Sequence, residues 1–259
     1  MIKMMCSHMY RILKNKRSWL SFCIVLCIPF FEIVQLLMYQ KNSNEVFHPA
    51  FAFFLTGSSI GHAPQIMLIW FLPIYFLMLV ADDPIQDYQT GYRYILISKI
   101  GKKKYVLHKM LLSFVLSFVT MLVALAVNFM TVSIIFSGGT FTKGVMDLNI
   151  EDNTLFQFSV NHPYIAILVF SIISCFMSGL AGLLGSSMSL FFLDRKYAYA
   201  ASFLVWFLMI LKRDSIVYLF QPFTEYGLGV LVPTILFAKF VFLLIAIFVF
   251  VYEVKYNES

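Results

Sequence analysis

Residues 163–193 read PYIAILVFSIISCFMSGLAGLLGSSMSLFFL, an uncharged apolar stretch long enough to cross a lipid bilayer as a helix. Five further apolar stretches accompany it, so the sequence predicts six transmembrane spans. Pro73 predicts a kink in the second of them. The six spans are expected at residues 19–39, 63–81, 110–136, 163–193, 197–211 and 230–252.

The composition favours lipid over water as the main surroundings. Of the 259 residues, 61% are hydrophobic and 12% are charged, whereas soluble domains are about half apolar and a quarter charged. The net charge is +6, and because the cationic residues flank apolar spans, we interpret it through membrane topology and not through nucleic acid. An all-α integral membrane protein is therefore predicted.

Lys and Arg lie mainly in alternate gaps between the predicted spans. Fourteen of the 19 fall in residues 1–18, 82–109 and 194–196 or in the C-terminal tail. Four fall in the opposite, loop-like gaps at residues 40–62, 137–161 and 212–229. Because cytoplasmic loops are enriched in Lys and Arg, we expect both termini in the cytoplasm and a single six-span domain over residues 19–259.

Two segments next to the spans are also expected to lie against the membrane. Residues 1–18 carry five basic residues and no acid, with apolar residues at helical spacing. They predict an amphipathic interfacial helix, and a frayed cationic tail is the alternative. Residues 212–229 contain Pro222 and Gly227, and irregular backbone at membrane depth must be shielded by protein. A re-entrant segment, with room for two short helices, is expected there.

Small residues in the fourth span predict a packing face. Gly179, Gly182 and Gly185 lie close together along one helix, with serines beside them. Small residues let helices approach closely in lipid. We therefore expect this part of the span to contact another helix.

Three polar residues, Glu32, Asn128 and Lys239, fall inside predicted spans. Ionisable groups at that depth usually face a partner, the bundle interior or a water-filled path. They are candidates for a transport pathway or for a structural Glu32–Lys239 pair. The alternative places Glu32 near the outer interface and lets Lys239 extend toward the headgroups.

The gap at residues 82–109 carries the strongest functional signal. Ile85, Tyr88, Tyr92, Ile95 and Lys99 recur at helical spacing and predict a short amphipathic helix with an aromatic face. Acidic residues at its start suit the helix dipole. Such a helix suits docking into a groove on a partner, and the alternative is a membrane-surface helix that ends in a positive stop.

A possible hydrolase motif lies in the first outer loop. Residues 57–61 match G-x-S-x-G, and His62 follows them. A nucleophile elbow needs a strand before it and a helix after it on an α/β sheet, which this chain does not predict. A membrane-bound hydrolase using Ser59 and His62 is therefore a minor alternative. The chain also has no G-x-x-x-x-G-K-[ST] phosphate loop.

Residues 87–96 read DYQTGYRYIL and are followed by the lysines of residues 102–104. This loop and the whole-chain arrangement of spans resemble the permease subunits of ABC-2 type exporters. The family loop more often has Glu where this chain has Asp87, and Gly-Thr where it has Thr90-Gly91.

The resemblance implies that this loop forms a coupling helix that contacts a separate ATPase subunit. It also implies a homo- or heterodimer of permeases in a bacterial cell membrane, with ATP and magnesium bound by the ATPase and no catalytic residue, metal or cofactor in this chain. The expected cargo is an amphipathic lipid, peptide, antibiotic or glycoconjugate. A non-transporting membrane scaffold or sensor is the alternative. The expected coupling residues are Asp87, Tyr88, Thr90, Gly91, Tyr92, Arg93 and Tyr94.

Overall fold

The computed structural model describes residues 9–12, 14–43, 45–148, 150 and 153–256. Within these residues the chain is all-helical, and the only strand-like contact is one isolated bridge between Phe47 and Phe141. The all-α prediction is therefore confirmed. Four helices are long and apolar enough to cross a membrane, and a bent pair of helices is a fifth candidate.

From Lys16 onward the described residues form eleven α-helices, together with short 3₁₀-helices and one π-helix at Leu77–Ala81. The α-helices are α1 (Lys16–Ser43), α2 (Pro49–Ala52), α3 (Ala63–Trp70), α4 (Leu72–Phe76), α5 (Asp83–Gln89), α6 (Tyr92–Ile100), α7 (Lys102–Ile135), α8 (Thr154–Asn161), α9 (Pro163–Phe192), α10 (Arg195–Leu211) and α11 (Leu228–Lys255).

Helices occupy all six stretches predicted as spans. The four long ones are α1, α7, α9 and α11. Helix α10 has 17 residues, which is roughly 25 Å at the usual helical rise, somewhat less than the ~30 Å of a hydrocarbon core. Length and composition thus fit a membrane protein, and the number of crossings stays a prediction.

The second predicted span is broken where the sequence predicts its kink. Helices α3 and α4 meet at Phe71, and the two halves are bent by 43°. Pro73 has no N–H to donate to the carbonyl of Ile69, four residues earlier. The buried indole of Trp206 donates to that carbonyl instead, at 2.9 Å. The break is therefore satisfied by a side chain from α10, as buried backbone in an apolar setting requires.

Helix α9 is the centre of the bundle, because 67% of its most apolar window is buried, against 28% for the peripheral α11. Its glycines lie where neighbouring helices approach most closely. A methyl group on Gly182 would overlap the Ser117 hydroxyl and lie 2.8 Å from the Ser113 carbonyl oxygen of α7. A methyl group on Gly179 would lie 2.7 Å from the Phe114 ring of α7, and one on Gly185 would lie 3.1 Å from Leu77 of the π-helix.

The loop after α1 folds into the protein, whereas the sequence favours a polar loop in which only residues 51–55 dip into the membrane interface. Phe47 and the whole stretch 50–55 are buried, although residues 40–62 read as a polar loop. The ring of Phe51 stacks on that of Phe223 at 4.6 Å between centroids. The free energy gained by burying these apolar side chains exceeds the cost of bringing the polar residues next to them in the sequence along, so the segment forms part of the core.

The stretch before α11 contains a single 3₁₀-helix, Ile216–Phe220, whose start is capped by the Ser215 hydroxyl. Of the two short helices that the segment has room for, the structure has this one, and residues 221–227 are irregular. Helix α8 was not predicted, and the Asn153 side chain caps its first turn. Whether residues 212–229 re-enter a membrane stays a prediction.

At the N-terminus, residues 9–12 are helical and Ile12 is buried against the bundle. Residues 1–8 and Leu13 of the predicted interfacial helix lie outside the described residues, and residues 16–18 belong to α1 instead. The position of this segment on a membrane surface stays a prediction.

We expect Gly182→Ala to lower the free energy of unfolding by about 1–3 kcal/mol, because an added methyl group overpacks the α7–α9 contact. Thermal unfolding of the purified protein in detergent measures this. Gly229→Ala is the matched control, because nothing lies within 4 Å of a methyl group there. Equal effects of the two substitutions would contradict the close α7–α9 packing.

Candidate functional site

The π-helix Leu77–Ala81 leads directly into α5 and sets the positions of three acidic residues. The backbone N–H of Asp82 donates to the carbonyl of Leu77, five residues earlier, at 3.1 Å. Asp82, Asp83 and Asp87 then lie beneath the ends of the long helices with at most 7% of their surface exposed. Burying a carboxylate costs free energy unless it is paired. The cations that pair with these three residues therefore determine which segments meet at this end of the molecule.

Asp83 and Asp87 share two cations that come from different parts of the chain. The Arg11 guanidinium lies 2.7 Å from a carboxylate oxygen of each. Lys109 of α7 pairs with both, and its ammonium lies 2.6 Å from Asp87. The Tyr105 hydroxyl also donates to Asp87 at 3.1 Å. One pair of carboxylates thus joins the N-terminal segment, α5 and α7.

Asp82 makes a separate connection to α10. The Nε of Arg195 lies 3.1 Å from its carboxylate, and the Gln86 amide donates to its other oxygen at 3.5 Å. Burial raises the pKa of the Asp82 carboxyl above its usual range, and the Arg195 guanidinium opposes that shift. The contact therefore holds the first turn of α10 against the start of α5.

Arg93 of α6 forms a fully buried ion pair with Glu253 near the end of α11. The two side chains approach to 2.6 Å and are 1% and 0% exposed. Breaking such a pair is strongly unfavourable, because it leaves one buried charge uncompensated. The pair therefore ties α6 to the last long helix.

These ion pairs form one group, here named the charged cluster, which connects α5 and α6 to the N-terminal segment, α7, α10 and α11. Sequence reasoning selected Asp87 and Arg93 but missed their partners. The low number of acidic residues could have indicated that such partners exist. The chain has only 13 Asp and Glu in 259 residues, and an acidic side chain in an apolar setting is seldom left unpaired. Its members are Arg11, Asp82, Asp83, Asp87, Arg93, Lys109, Arg195 and Glu253.

Several residues of α5, α6 and the turn between them are exposed. Tyr88, Tyr94 and Ile95 are 40%, 52% and 49% exposed, and Gln89 and Thr90 beside them are also exposed. We name these five residues the aromatic face. The guanidinium of the buried Arg93 lies 6.0 Å from the Tyr88 ring centroid. The exposed ring therefore lies directly above the ion pair to α11.

The predicted single amphipathic helix over this segment was wrong. Helices α5 and α6 are separated at Gly91, whose φ of 70° is in the left-handed region that favours glycine. The apolar repeat is therefore split, with Ile85 fully buried and Ile95 exposed. Helix α7 begins at Lys102, directly after Gly101.

The seven expected coupling residues divide into three groups. Tyr88, Thr90 and Tyr94 are exposed on the aromatic face. Asp87 and Arg93 are buried, so they hold the helices in place and offer no surface to a partner. Gly91 and Tyr92 are half-buried. The Arg11 guanidinium makes a cation–π contact with Tyr92, at 5.1 Å from the ring centroid.

Of the three polar residues predicted inside spans, Asn128 and Glu32 hold the buried loop. The Asn128 side chain accepts from the backbone N–H of Phe54 at 3.1 Å and donates to the carbonyl of Pro29 at 3.4 Å. Glu32 is fully buried, and the N–H of Ser59 donates to its carboxylate at 3.4 Å.

Gln65, which sequence reasoning missed, also holds this loop. Its side chain donates to the carbonyls of Phe54 and Leu55 at 2.8 and 2.7 Å. Lys239 instead lies exposed on α11, and no ion pair joins it to Glu32 in the described part of the chain.

Ser59 and His62 do not form a nucleophile–base pair. The Ser59 hydroxyl is buried without a hydrogen-bond partner among the described residues, whereas His62 is exposed. The motif begins directly after the 3₁₀-helix Phe54–Thr56 and runs into the 3₁₀-helix Ile60–His62, and the described residues before it form no strand. Across the described ranges, no group of three or more His, Cys, Asp or Glu residues is placed to hold a metal ion.

The chain is 54% identical over 253 residues to "Uncharacterized protein YybM" of Bacillus subtilis (strain 168), and the match covers 98% of this chain and 99% of the relative. The chain belongs to the YybM family. No model of a protein family matches the chain, and no solved structure matches it. The match leaves about six residues of this chain uncovered, so the likeness extends over nearly all of the helical structure described above.

We expect Asp87→Asn to lower the free energy of unfolding by roughly 3 kcal/mol, because it weakens buried pairs with Lys109 and Arg11. Denaturant or thermal unfolding in detergent measures the change. The exposed Asp214 provides the control, and Asp214→Asn should stay within about 0.5 kcal/mol of the wild type. If both variants unfold like the wild type, the cluster does not hold the helices.

We expect Asn128→Ala to destabilise the protein by about 2 kcal/mol, because the Phe54 N–H and the Pro29 carbonyl lose a buried partner. Thr131→Ala on the same helix is the comparison, since its hydroxyl bonds only the Val127 carbonyl of its own turn. A loss for Asn128→Ala no larger than for Thr131→Ala would show that the loop does not depend on this amide.

Proposed function

We propose that this chain is the membrane-embedded permease subunit of an ATP-driven exporter of the ABC-2 type, in which a separate subunit hydrolyses ATP. The observation that carries the proposal is the exposed aromatic face on α5 and α6. Buried ion pairs connect these two helices to four other parts of the chain, namely the N-terminal segment, α7, α10 and α11. Exposed tyrosines are favoured anchors at protein interfaces. The sequence resemblance supplies the identity of the partner as an ATPase.

The charged cluster supports a mechanical role for this face. A partner that moves the aromatic face displaces α5 and α6, and buried ion pairs resist separation from the helices they join. The displacement therefore passes to α7 through Lys109, to α10 through Arg195 and to α11 through Glu253. In this proposal ATP-driven motion of the partner changes how these helices pack and opens a path for the cargo.

The membrane arrangement in the proposal has six crossings with both termini in the cytoplasm. It is supported by the enrichment of Lys and Arg at the end of the bundle where α5 and α6 lie. Both α10 and the bent α3–α4 pair then cross as shorter spans.

The complete exporter in this proposal contains two permease copies, identical or paralogous, and two ATPase subunits. ATP and magnesium are held by the ATPase, so the permease itself performs no reaction. The cargo is an amphipathic lipid, peptide, antibiotic or glycoconjugate. The scaffold alternative predicts a bound partner without cargo-stimulated hydrolysis.

We expect Tyr88→Ala/Tyr94→Ala to abolish at least about 90% of the ATPase activity that co-purifies with the chain in mild detergent, because truncating two interface anchors typically costs several kcal/mol. The measurement is ATP hydrolysis per permease, together with the amount of ATPase retained. The control is Tyr197→Ala, which removes a tyrosine that is more exposed than Tyr88 or Tyr94 from the first turn of α10.

A double variant that retains both the ATPase and its activity would contradict docking at the aromatic face. A wild-type chain that co-purifies with no ATPase after gentle extraction would contradict the transporter proposal itself and favour a scaffold or sensor.

A further inference from the structure

An apolar groove opens on the surface of the bundle between α7 and α11. Its volume is about 400 Å³, and every side chain that lines it is apolar. Several of them are strongly exposed, including Leu107 at 52% and Ile247 at 62%. We name it the α7–α11 groove. It is lined chiefly by Leu107, Leu111, Phe114, Ala246, Ile247 and Phe250.

The groove has a cationic end. Successive residues of an α-helix are rotated by about 100° around its axis. Around the axis of α7, Lys103 and Lys104 therefore lie within about 60° of Leu107, whereas Lys102 lies about 140° from it. Lys103 and Lys104 are exposed. They precede Leu107 by about one helical turn, so their ammonium groups lie within reach of the mouth of the groove.

These two lysines have no acidic partner among the described residues. The acids of the charged cluster are paired with Arg11, Lys109, Arg195 and Arg93, and none of the ion pairs includes Lys103 or Lys104. The lysines therefore remain available to an external anion. A second copy of the chain is an unfavourable occupant, because its own lysines would add to the same positive charge.

We propose that the α7–α11 groove binds one anionic phospholipid, with an acyl chain against Leu107, Leu111 and Phe250 and the phosphate held by Lys103 and Lys104. The charge lies at the end of the groove where the headgroup of a lipid aligned with α7 is expected, because Lys109 and the charged cluster mark the polar boundary of the bundle. Clusters of lysine beside a membrane helix favour anionic lipids.

This site needs only that the chain lies in a bilayer, and it is independent of ATP hydrolysis. A bound lipid contacts α7 and α11 together, since the groove has one wall from each. Phe250 lies about one turn from Glu253, which carries the ion pair to α6. The lipid thus stabilises the contact between the two helices that the charged cluster also connects.

Native mass spectrometry of the detergent-purified chain, titrated with phosphatidylglycerol or with phosphatidylcholine of the same acyl chains, tests the proposal. We expect one phosphatidylglycerol to bind about tenfold tighter than phosphatidylcholine, and Lys103→Gln/Lys104→Gln to weaken phosphatidylglycerol binding by about tenfold or more. The control Lys99→Gln/Lys102→Gln removes the same charge nearby and should change binding by less than about threefold.

A second pair of variants tests the apolar part of the site. Leu107→Gln/Leu111→Gln places two polar groups on the groove wall, and we expect it to weaken binding of both lipids several-fold. Leu204→Gln/Leu208→Gln makes the same change at the same spacing on exposed positions of α10, and should have no effect on the bound lipid. All four positions are exposed, so the folded state tolerates the changes.

Three results would overturn the proposal. Equal weakening by the two lysine pairs would indicate general charge attraction, and equal affinity for the two lipids would indicate ordinary surrounding lipid. A dimer that retains no lipid would show that a second copy covers the groove. None of these results depends on a partner ATPase, so failure here is distinct from failure of the exporter proposal.

Discussion

The arrangement of this end of the molecule depends on two carboxylates, Asp83 and Asp87, that are buried one turn apart on α5. Each buried charge costs several kcal/mol without a partner. Arg11 and Lys109 approach both of them, so the N-terminal segment and α7 are drawn to the same helix. Once α5 is held, the turn at Gly91 sets the direction of α6 and brings Arg93 to Glu253 of α11.

Placement of the helices could be predicted from the sequence because lipid imposes long apolar runs. Five of the six predicted spans each coincide with one helix, and the second coincides with the bent α3–α4 pair and the π-helix after it. The kink near Pro73 was predictable for a covalent reason, the missing N–H of proline. The packing of Gly182 against α7 also agrees with the sequence pattern, because only small residues allow that approach.

The partners within the candidate site could not be predicted in the same way. Arg93 and Glu253 are 160 residues apart, and Arg11 and Asp83 are 72 apart. No local periodicity connects such pairs, because they depend on how the helices pack. The break at Gly91 was missed for another reason: the apolar repeat continues through it, while the backbone takes a left-handed turn. Burial of residues 50–55 in the protein core was missed because this apolar run is short and lies among polar residues, which favours a place at the membrane interface instead.

The residues of the 87–94 segment have two different roles, which the sequence alone does not distinguish. Asp87 and Arg93 face inward and join helices, while Tyr88 and Tyr94 face outward and offer a surface. Substitutions at inward positions therefore act on stability first, and substitutions at outward positions act on partner binding. The 54% identity to YybM over nearly the whole length makes the same division a testable expectation for the family.

Hydrogen–deuterium exchange of the chain in lipid nanodiscs tests most directly whether the charged cluster holds α5 and α6 as part of the bundle. Amide protons in paired, buried helices exchange slowly, whereas those of mobile surface loops exchange almost at once. The account predicts that residues 83–100 exchange nearly as slowly as the first turns of α7, and that Arg93→Gln/Glu253→Gln increases exchange most strongly in α6 and at the end of α11. Rapid exchange of residues 83–100 in the wild-type protein, unchanged in that variant, would contradict it.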